Sequence, residues 1–310
     1  MDEISTTIKI GASIIALAAV ADLYVTCDFS RERYTIIDNS DGKSAAMGEP
    51  IHPKRKFAVL VNATRHAQRH QNNIRLAYNT LEARAYNPND VFVLEGRTAV
   101  NNYPQANNMP AFKETLQDVL SHLSKELTPD DSLFFYVTNH GHRIPLYDFG
   151  TQSTFQSANK FSFRRHKDSR VSEEELSDWM SGINANHVLM YFNQCFSGGF
   201  AHRLGKGNIV AISTTKPTKT SPDHANSNKE LFGMRYSSLF TPYFFSAFAG
   251  VDPNGNSINA DMDGDGSVSV MDAFIYGSKM LYQRSKALLK GFEPVPQLVY
   301  EKINPSNITL

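Results

Sequence analysis

Val188-Leu189-Met190-Tyr191-Phe192-Asn193-Gln194-Cys195-Phe196-Ser197-Gly198-Gly199 runs from an apolar stretch straight into a cysteine and two glycines. A short apolar run of this kind reads as a buried strand, so Cys195 sits just beyond a strand end. The same arrangement occurs 55 residues earlier, where Leu133 to Val137 leads into Thr138-Asn139-His140-Gly141. Strand ends are where a parallel α/β sheet gathers its ligands and catalytic groups. A lone cysteine is usually a small core residue and a lone histidine a satisfied polar one. Here each stands beyond a strand and close to a glycine that bares backbone N–H groups, and the pair predicts a Cys195/His140 catalytic dyad.

Working outward, the chain alternates strand and helix patterns. Phe57 to Val61 reads as a first strand, Arg69 to Ala85 as a helix with Ile74, Ala77, Leu81 and Ala85 on one face, and Val91 to Leu94 as a second strand. A helix from Ala111 to Leu127, the strand before His140, a helix from Ser172 to Ile183 and the strand before Cys195 continue the rhythm, followed by a strand at Ile209 to Ile212. Ser172 and Glu175 have capping-box spacing. Such alternation implies an α/β fold with a mostly parallel sheet covered on both faces. Residues 143 to 170 read as an insertion on the rim of the site, and Ser213 to Lys229, rich in Ser, Thr, Lys, Asn and Pro, as an exposed loop near the strand ends.

Composition narrows the function classes. The 310 residues, 41% hydrophobic, can bury a full core, and the 31 basic residues balance the 31 acidic ones, so no net field draws nucleic acid or acidic membranes. Nucleic acid is not an expected partner. Only Cys27 and Cys195 are present, which excludes a disulfide framework and a four-cysteine metal site. Residues 1–27 form an apolar N-terminal segment whose Ile10 to Val20 run and Ala19-Val20-Ala21 site suit a secretory signal, whereas Asp2, Glu3 and Asp22 argue against one. Export, membrane association through residues 10–25 and a cytoplasmic protein with a short packed helix all stay open. Residues 28–55 read as a linker or packed arm, and 56–310 as the catalytic domain.

The chemistry expected of the dyad is nucleophilic. Cys195 reacts as a thiolate, and His140 takes or holds its proton and then protonates the leaving amine. The N–H groups of Gly141 and Cys195 are the expected oxyanion donors. His142 competes for the base role, and the glycine after His140 favours His140.

His-Gly after one strand and Gln-Cys-Phe-Ser-Gly-Gly after another resemble the catalytic blocks of caspase-like cysteine peptidases. Phe57-Ala58-Val59-Leu60-Val61 followed by Arg69-His70-Gln71-Asn72-Asn73 and Ala77-Tyr78 is similar to the legumain family, over roughly residues 56 to 303. The resemblance implies a caspase-like three-layer α/β/α sandwich and endopeptidase or transamidase activity on protein or peptide substrates through a thioester acyl-enzyme, with no metal in the chemical step. By position it makes His140 the base, Cys195 the nucleophile, Gly141 an oxyanion donor and Arg69 a wall of the pocket for the residue before the scissile bond (P1). The chain departs from the family at Ala67, where an asparagine that orients the histidine is expected, at Asn139, where an aspartate is expected, and at Phe196, where an acidic residue would pair with Arg69 beside the substrate. An arginine without that carboxylate suits an acidic or neutral polar P1 side chain.

A second motif lies at 261–272. Asp261-Met262-Asp263-Gly264-Asp265-Gly266-Ser267-Val268-Ser269-Val270-Met271-Asp272 fits the EF-hand loop, with Asp261, Asp263 and Asp265 as oxygen ligands, Gly266 at the turn, the Ser267 carbonyl at position seven and Asp272 closing the site. Calcium with a structural role is the expected cofactor. Helices are expected on either side, at Tyr236 to Ala249 and Ala273 to Leu281. Beside the peptidase reading stand a transamidase or metacaspase-like peptidase on the same fold, and an inactive pseudopeptidase that binds proteins.

Overall fold

The computed structural model describes residues 23–25, 34–40, 50–64, 68–96, 103–143, 159–162, 170–221, 238–252, 254–288 and 295–310. The strands are β1 (Leu23–Val25), β2 (Thr35–Asp38), β3 (Lys56–Asn62), β4 (Val91–Glu95), β5 (Asn107–Met109), β6 (Ser132–Thr138), β7 (Gly141–Arg143), β8 (Asn159–Ser162), β9 (Arg170–Ser172), β10 (His187–Asn193), β11 (Ile209–Ser213) and β12 (Gln297–Tyr300). The helices are α1 (Gln68–Ala83), α2 (Lys113–Glu126), α3 (Glu173–Met180), α4 (Gly198–Leu204), α5 (Thr241–Ala249) and α6 (Val270–Leu288).

Among the described residues the main sheet has nine strands in the order β1-β2-β12-β11-β10-β6-β3-β4-β5. From β11 to β5 every neighbouring pair is parallel, and β12 turns the edge antiparallel. Each central strand sends alternate side chains to opposite faces. Ala58, Leu60, Phe134, Tyr136, Leu189, Tyr191, Val210 and Ile212 meet α1, α5 and α6 in one core. Phe57, Val59, Val61, Phe135, Val137, Val188, Met190 and Phe192 meet α2, α3 and α4 in the other. The fold is therefore a three-layer α/β/α sandwich. Burial on both faces explains why these strands read as continuous apolar runs.

Local chemistry sets the helix ends. Ser172 and Glu175 form the expected capping box in full and start α3. Helix α1 stops at Ala83, short of the expected Ala85, because Ala85 turns left-handed at φ 60° and the N–H of Tyr86 reaches back to the carbonyl of Leu81 at 3.0 Å. Helix α5 begins at Thr241, with Pro242 in its first turn, and Gly250 at φ 70° closes it; the expected start at Tyr236 lies outside the described residues. Helix α6 extends beyond the expected Ala273 to Leu281 at both ends.

Several expectations change. Within 28–55, expected as a linker or packed arm, Thr35–Asp38 packs into the sheet beside β12, with Tyr34 and Ile37 buried. Leu23–Val25 pairs with it as the outermost strand, so that part of the apolar N-terminal segment belongs to the sheet. The 143 to 170 insertion runs from the last residue of β7 to the first of β9 and contains β8, and these three strands form a separate sheet; residues 144–158 and 163–169 lie outside the described residues. The loop after β11 is not exposed along its whole length: Thr214, Thr215 and Pro217 are buried. The Ile10 to Val20 run, Cys27, Ala67 and residues 222–229 lie outside the described residues. Among the described residues no helix is long and apolar enough to cross a membrane.

Candidate active site

From β3 the chain steps outward to β4 and β5, then returns to the opposite side of β3 to lay down β6, β10 and β11. The strand order thus reverses between β3 and β6, and ligands of open α/β sheets bind at such a point, beyond the carboxyl ends of the strands. The segments that follow β3, β6 and β10 carry Arg69, His140 and Cys195 respectively.

Register brings the His140 and Cys195 segments together. Thr138 stands opposite Asn193 at the ends of β6 and β10, and the N–H of Asn139 donates to the carbonyl of Asn193 at 3.3 Å. A Cβ on Gly141 would fall 1.8 Å from the carbonyl oxygen of Cys195, so the backbone after His140 lies directly against the Cys195 peptide. This packing, not a positive φ, demands the glycine. Gly141 also opens β7, which places His140 at the corner between the two sheets.

The turn after Cys195 is strained. Phe196 adopts φ 60°, the left-handed region that non-glycine residues avoid, and it redirects the chain from β10 into α4. Its side chain is half-buried. Its N–H donates to the carbonyl of Lys219 at 2.8 Å, and the N–H of Ser221 donates to Cys195 Sγ at 3.3 Å. The segment after β11 therefore crosses Cys195.

Arg69 faces His70 and His140. Its Nε donates to His70 Nε2 at 2.9 Å, and its Nη2 lies 3.5 Å from His140 Nδ1. His70 is buried, its Nδ1 is 2.7 Å from Thr138 Oγ1, and its ring meets that of His140 edge-on with centroids 5.5 Å apart. Beneath them lies a buried polar network: Asn73 Nδ2 donates to Thr138 Oγ1 at 3.0 Å and to Ser238 Oγ at 2.7 Å, and Asn193 Nδ2 donates to Ser238 Oγ at 2.5 Å. Burial, then Arg69 and His140, hold His70 well below the usual imidazole range. Burial, then Arg69 and His142, also lower His140. Arg69 is itself lowered by burial, while the Cys195 sulfur opposes that shift.

Asn139, found where the resemblance expects an aspartate, is buried, and its Oδ1 accepts the N–H of His140 at 2.7 Å. It thereby fixes the histidine's backbone. His142 is exposed on β7, and its shift comes from burial and Arg170, so it stands apart from the Arg69 and His70 pair. Sequence reasoning gave no role to His70, Asn73, Asn193 or Ser238. Two of them lie within the quoted block after Arg69 and one within the quoted stretch before Cys195, but polar residues at strand and helix ends acquire partners only through packing.

The acidic loop folds around its own carboxylates. Ligand oxygens of Asp261, Asp263 and Asp265 lie within 4.8 Å of one another. Asp261 accepts from the N–H groups of Gly264 at 2.7 Å and Gly266 at 2.9 Å, and those glycines sit at φ 80° and 92°. The Ser267 hydroxyl donates to Asp265 Oδ1 at 2.9 Å. Asp272 is buried; its Oδ1 takes the N–H of Met262 at 2.9 Å, and its Oδ2 takes both the N–H and the hydroxyl of Ser269. Three of a carboxylate's roughly four acceptor sites are thus engaged, which leaves Asp272 one for a cation. Burial, then Asp272, Asp265 and Asp261, raise the Asp263 carboxyl, whereas the N–H of Gly266 leads the causes that lower Asp261. The donor set is all oxygen and largely anionic, which fits a hard divalent ion such as calcium.

No family model matches the chain, and no curated protein matches it in sequence. Among solved structures it is similar to protein GSU0716 from Geobacter sulfurreducens, a structural genomics target, with a TM-score of 0.51 at 11% sequence identity over 82% of this chain and 96% of that one. Likeness at that identity concerns the arrangement of strands and helices, and it agrees with the three-layer α/β/α sandwich.

Proposed function

We propose that the protein is a legumain-like cysteine endopeptidase. The observation that carries this reading is the packing of Gly141 against the Cys195 carbonyl, which sets a histidine and a cysteine side by side at the ends of neighbouring parallel strands. In this reading the Cys195 thiolate attacks the scissile carbonyl carbon, and the π electrons move to an oxyanion that accepts from the N–H groups of Gly141 and Cys195. Collapse expels the amine, which takes a proton from the His140 imidazolium. His140 then accepts a proton from water as that water attacks the thioester, and Cys195 is released. An amine in place of water would make the same acyl-enzyme a transamidase, a distinction read from product mass.

The test is labelling with a thiol-directed acyl probe. Labelling at Cys195, with loss of signal in Cys195→Ala and strong slowing in His140→Ala, is the expected result. Folded wild-type protein that takes no label would instead favour the protein-binding pseudopeptidase. That second reading draws on the Ser221 N–H at Cys195 Sγ, a contact on the atom that would attack a substrate.

We also propose that the 261–272 loop holds calcium through Asp261, Asp263, Asp265, the Ser267 carbonyl and Asp272. The loop leads directly into α6, whose Val270, Ala273, Phe274 and Leu281 are buried in the core, so an ion there would brace the C-terminal part of the fold. Calcium at a hundred times its dissociation constant is expected to add about 2.7 kcal/mol of stability. Thermal melting in calcium and in chelator measures this; identical curves, or an equal gain in Asp263→Asn, would count against the site.

A further inference from the structure

The segments that close the candidate site are uneven in charge. Residues 68–73, 138–143, 193–199 and 213–221 hold four permanent cations, Arg69, Arg143, Lys216 and Lys219, and no Asp or Glu, in a chain whose 31 basic residues balance 31 acidic ones. The two lysines stand on a turn that packing fixes. The N–H of Lys219 donates to the carbonyl of Lys216 at 3.1 Å, which closes a β-turn with Pro217 at its second position, where the ring's fixed φ suits the bend. Pro217 is buried, and a Cβ on Gly198 would fall 2.5 Å from its Cδ, so the turn packs directly against the start of α4. The Lys219 carbonyl takes the N–H of Phe196 at 2.8 Å, and the Thr215 hydroxyl reaches the Thr220 carbonyl at 3.5 Å. Lys216 and Lys219 are both exposed, and among the described residues neither has a carboxylate partner.

Strand order decides which part of a substrate meets this turn. β6 and β11 flank β10 on opposite sides. In the peptidase reading His140, after β6, protonates the leaving amine, so the residues after the scissile bond lie on the β6 side. Those before it run the other way, past the segment that follows β11. We propose, resting on that reading, that Lys216 and Lys219 form a subsite for acidic residues of the substrate: each ammonium takes one carboxylate from the stretch that precedes P1. The spacing suits this. The ends of a β-turn stand less than about 7 Å apart, and side chains on one side of an extended chain recur every second residue, about 6.6 Å. Two carboxylates with one residue between them therefore match the two lysines. The substrate class is a protein with an acidic, extended segment ahead of the cleaved bond, and the unanswered positive charge also speeds its encounter with the site.

The test uses peptides with glutamine at P1, preceded by Asp-Ala-Asp-Ala or Ala-Asp-Ala-Asp, against the same peptides with Asn for Asp and one whose aspartates follow the scissile bond. The wild type is expected to favour an acidic peptide over its Asn counterpart by roughly threefold to thirtyfold in kcat/KM at low salt, the scale of two exposed ion pairs. The gain lies in KM and not kcat, because contacts away from the reacting carbonyl bind ground and transition state alike, and it shrinks as salt is added. In the double variant Lys216→Gln/Lys219→Gln the preference vanishes, and in Lys216→Glu/Lys219→Glu it reverses. Lys206→Glu keeps it, since exposed Lys206 lies before β11 at the other end of that strand, about 16 Å away. The same preference in folded double variants, or an equal one for aspartates after the scissile bond, overturns the subsite. Fluorescence anisotropy of the labelled peptides on Cys195→Ala gives a readout without turnover: tighter binding of an acidic peptide, lost in the Gln double variant, is expected, and equal affinities overturn the proposal. Failure of Cys195 to take the acyl probe would overturn the peptidase reading instead, and the anisotropy result judges the lysine turn in either case.

Discussion

Gly141→Ala is expected to lower turnover of a peptide substrate at least ~10²-fold, the scale of an ångström-sized misplacement of reacting groups. The added carbon would sit 1.8 Å from the Cys195 carbonyl oxygen and 3.0 Å from its nitrogen, and both obstacles are backbone. No side-chain rotation relieves such a contact, so either the histidine segment or the cysteine turn must move. Both carry the dyad, and the N–H of each is a proposed oxyanion donor. Gly182→Ala is the control, because its new carbon would meet Ser124 at an ordinary 3.4 Å. The comparison is read as kcat/KM beside alkylation of Cys195. Wild-type turnover in Gly141→Ala would mean that the two strand ends do not touch as described.

Phe245→Ala is expected to cost about 3–5 kcal/mol of folding stability, the range for removing a fully buried aromatic side chain. Phe245 is 0% exposed on α5, and its ring meets Phe134 at 6.3 Å, Tyr136 at 5.7 Å, Tyr191 at 6.2 Å and Phe244 at 5.4 Å. It therefore joins α5 to β6 and β10, the strands that present His140 and Cys195. Urea denaturation measures the change as a lower midpoint at similar slope. Phe112→Ala, at a side chain 43% exposed, is the matched control and should stay within about 0.5 kcal/mol. Similar midpoints for the two variants would show that α5 does not cover the sheet.

The central strands were legible because burial on both faces forces continuous apolar runs, and β3, β6, β10 and β11 each extend the expected segment by no more than a residue at either end. The α3 boundary was legible for a local reason, since a capping box needs only residues three apart. Strands β2 and β12 were not. Four residues carry too little pattern to distinguish a strand from a loop, and their partners lie far away in sequence: Ile36 pairs with Leu298. The paths of β8 and β9 were hidden in the same way, inside a stretch with no period.

At the candidate site the chain by itself determined which residue types were on hand: a cysteine and a histidine past strand ends, glycines beside them, an arginine near a helix start and a loop of carboxylates at calcium spacing. It also determined the α/β class, because strand and helix periods are local properties of neighbouring residues. Tertiary structure alone decided what those side chains face. Arg69, expected as a pocket wall, turns its guanidinium onto His70 and His140. Asn139 holds the backbone of His140. The segment after β11 crosses Cys195, and Asp272 gives one oxygen to Ser269 at the start of α6 and the other to the N–H of Met262. Hydrogen-bond partners of long polar side chains are set by which helix and strand ends the sheet brings together, and that convergence has no signature in the order of residues along the chain.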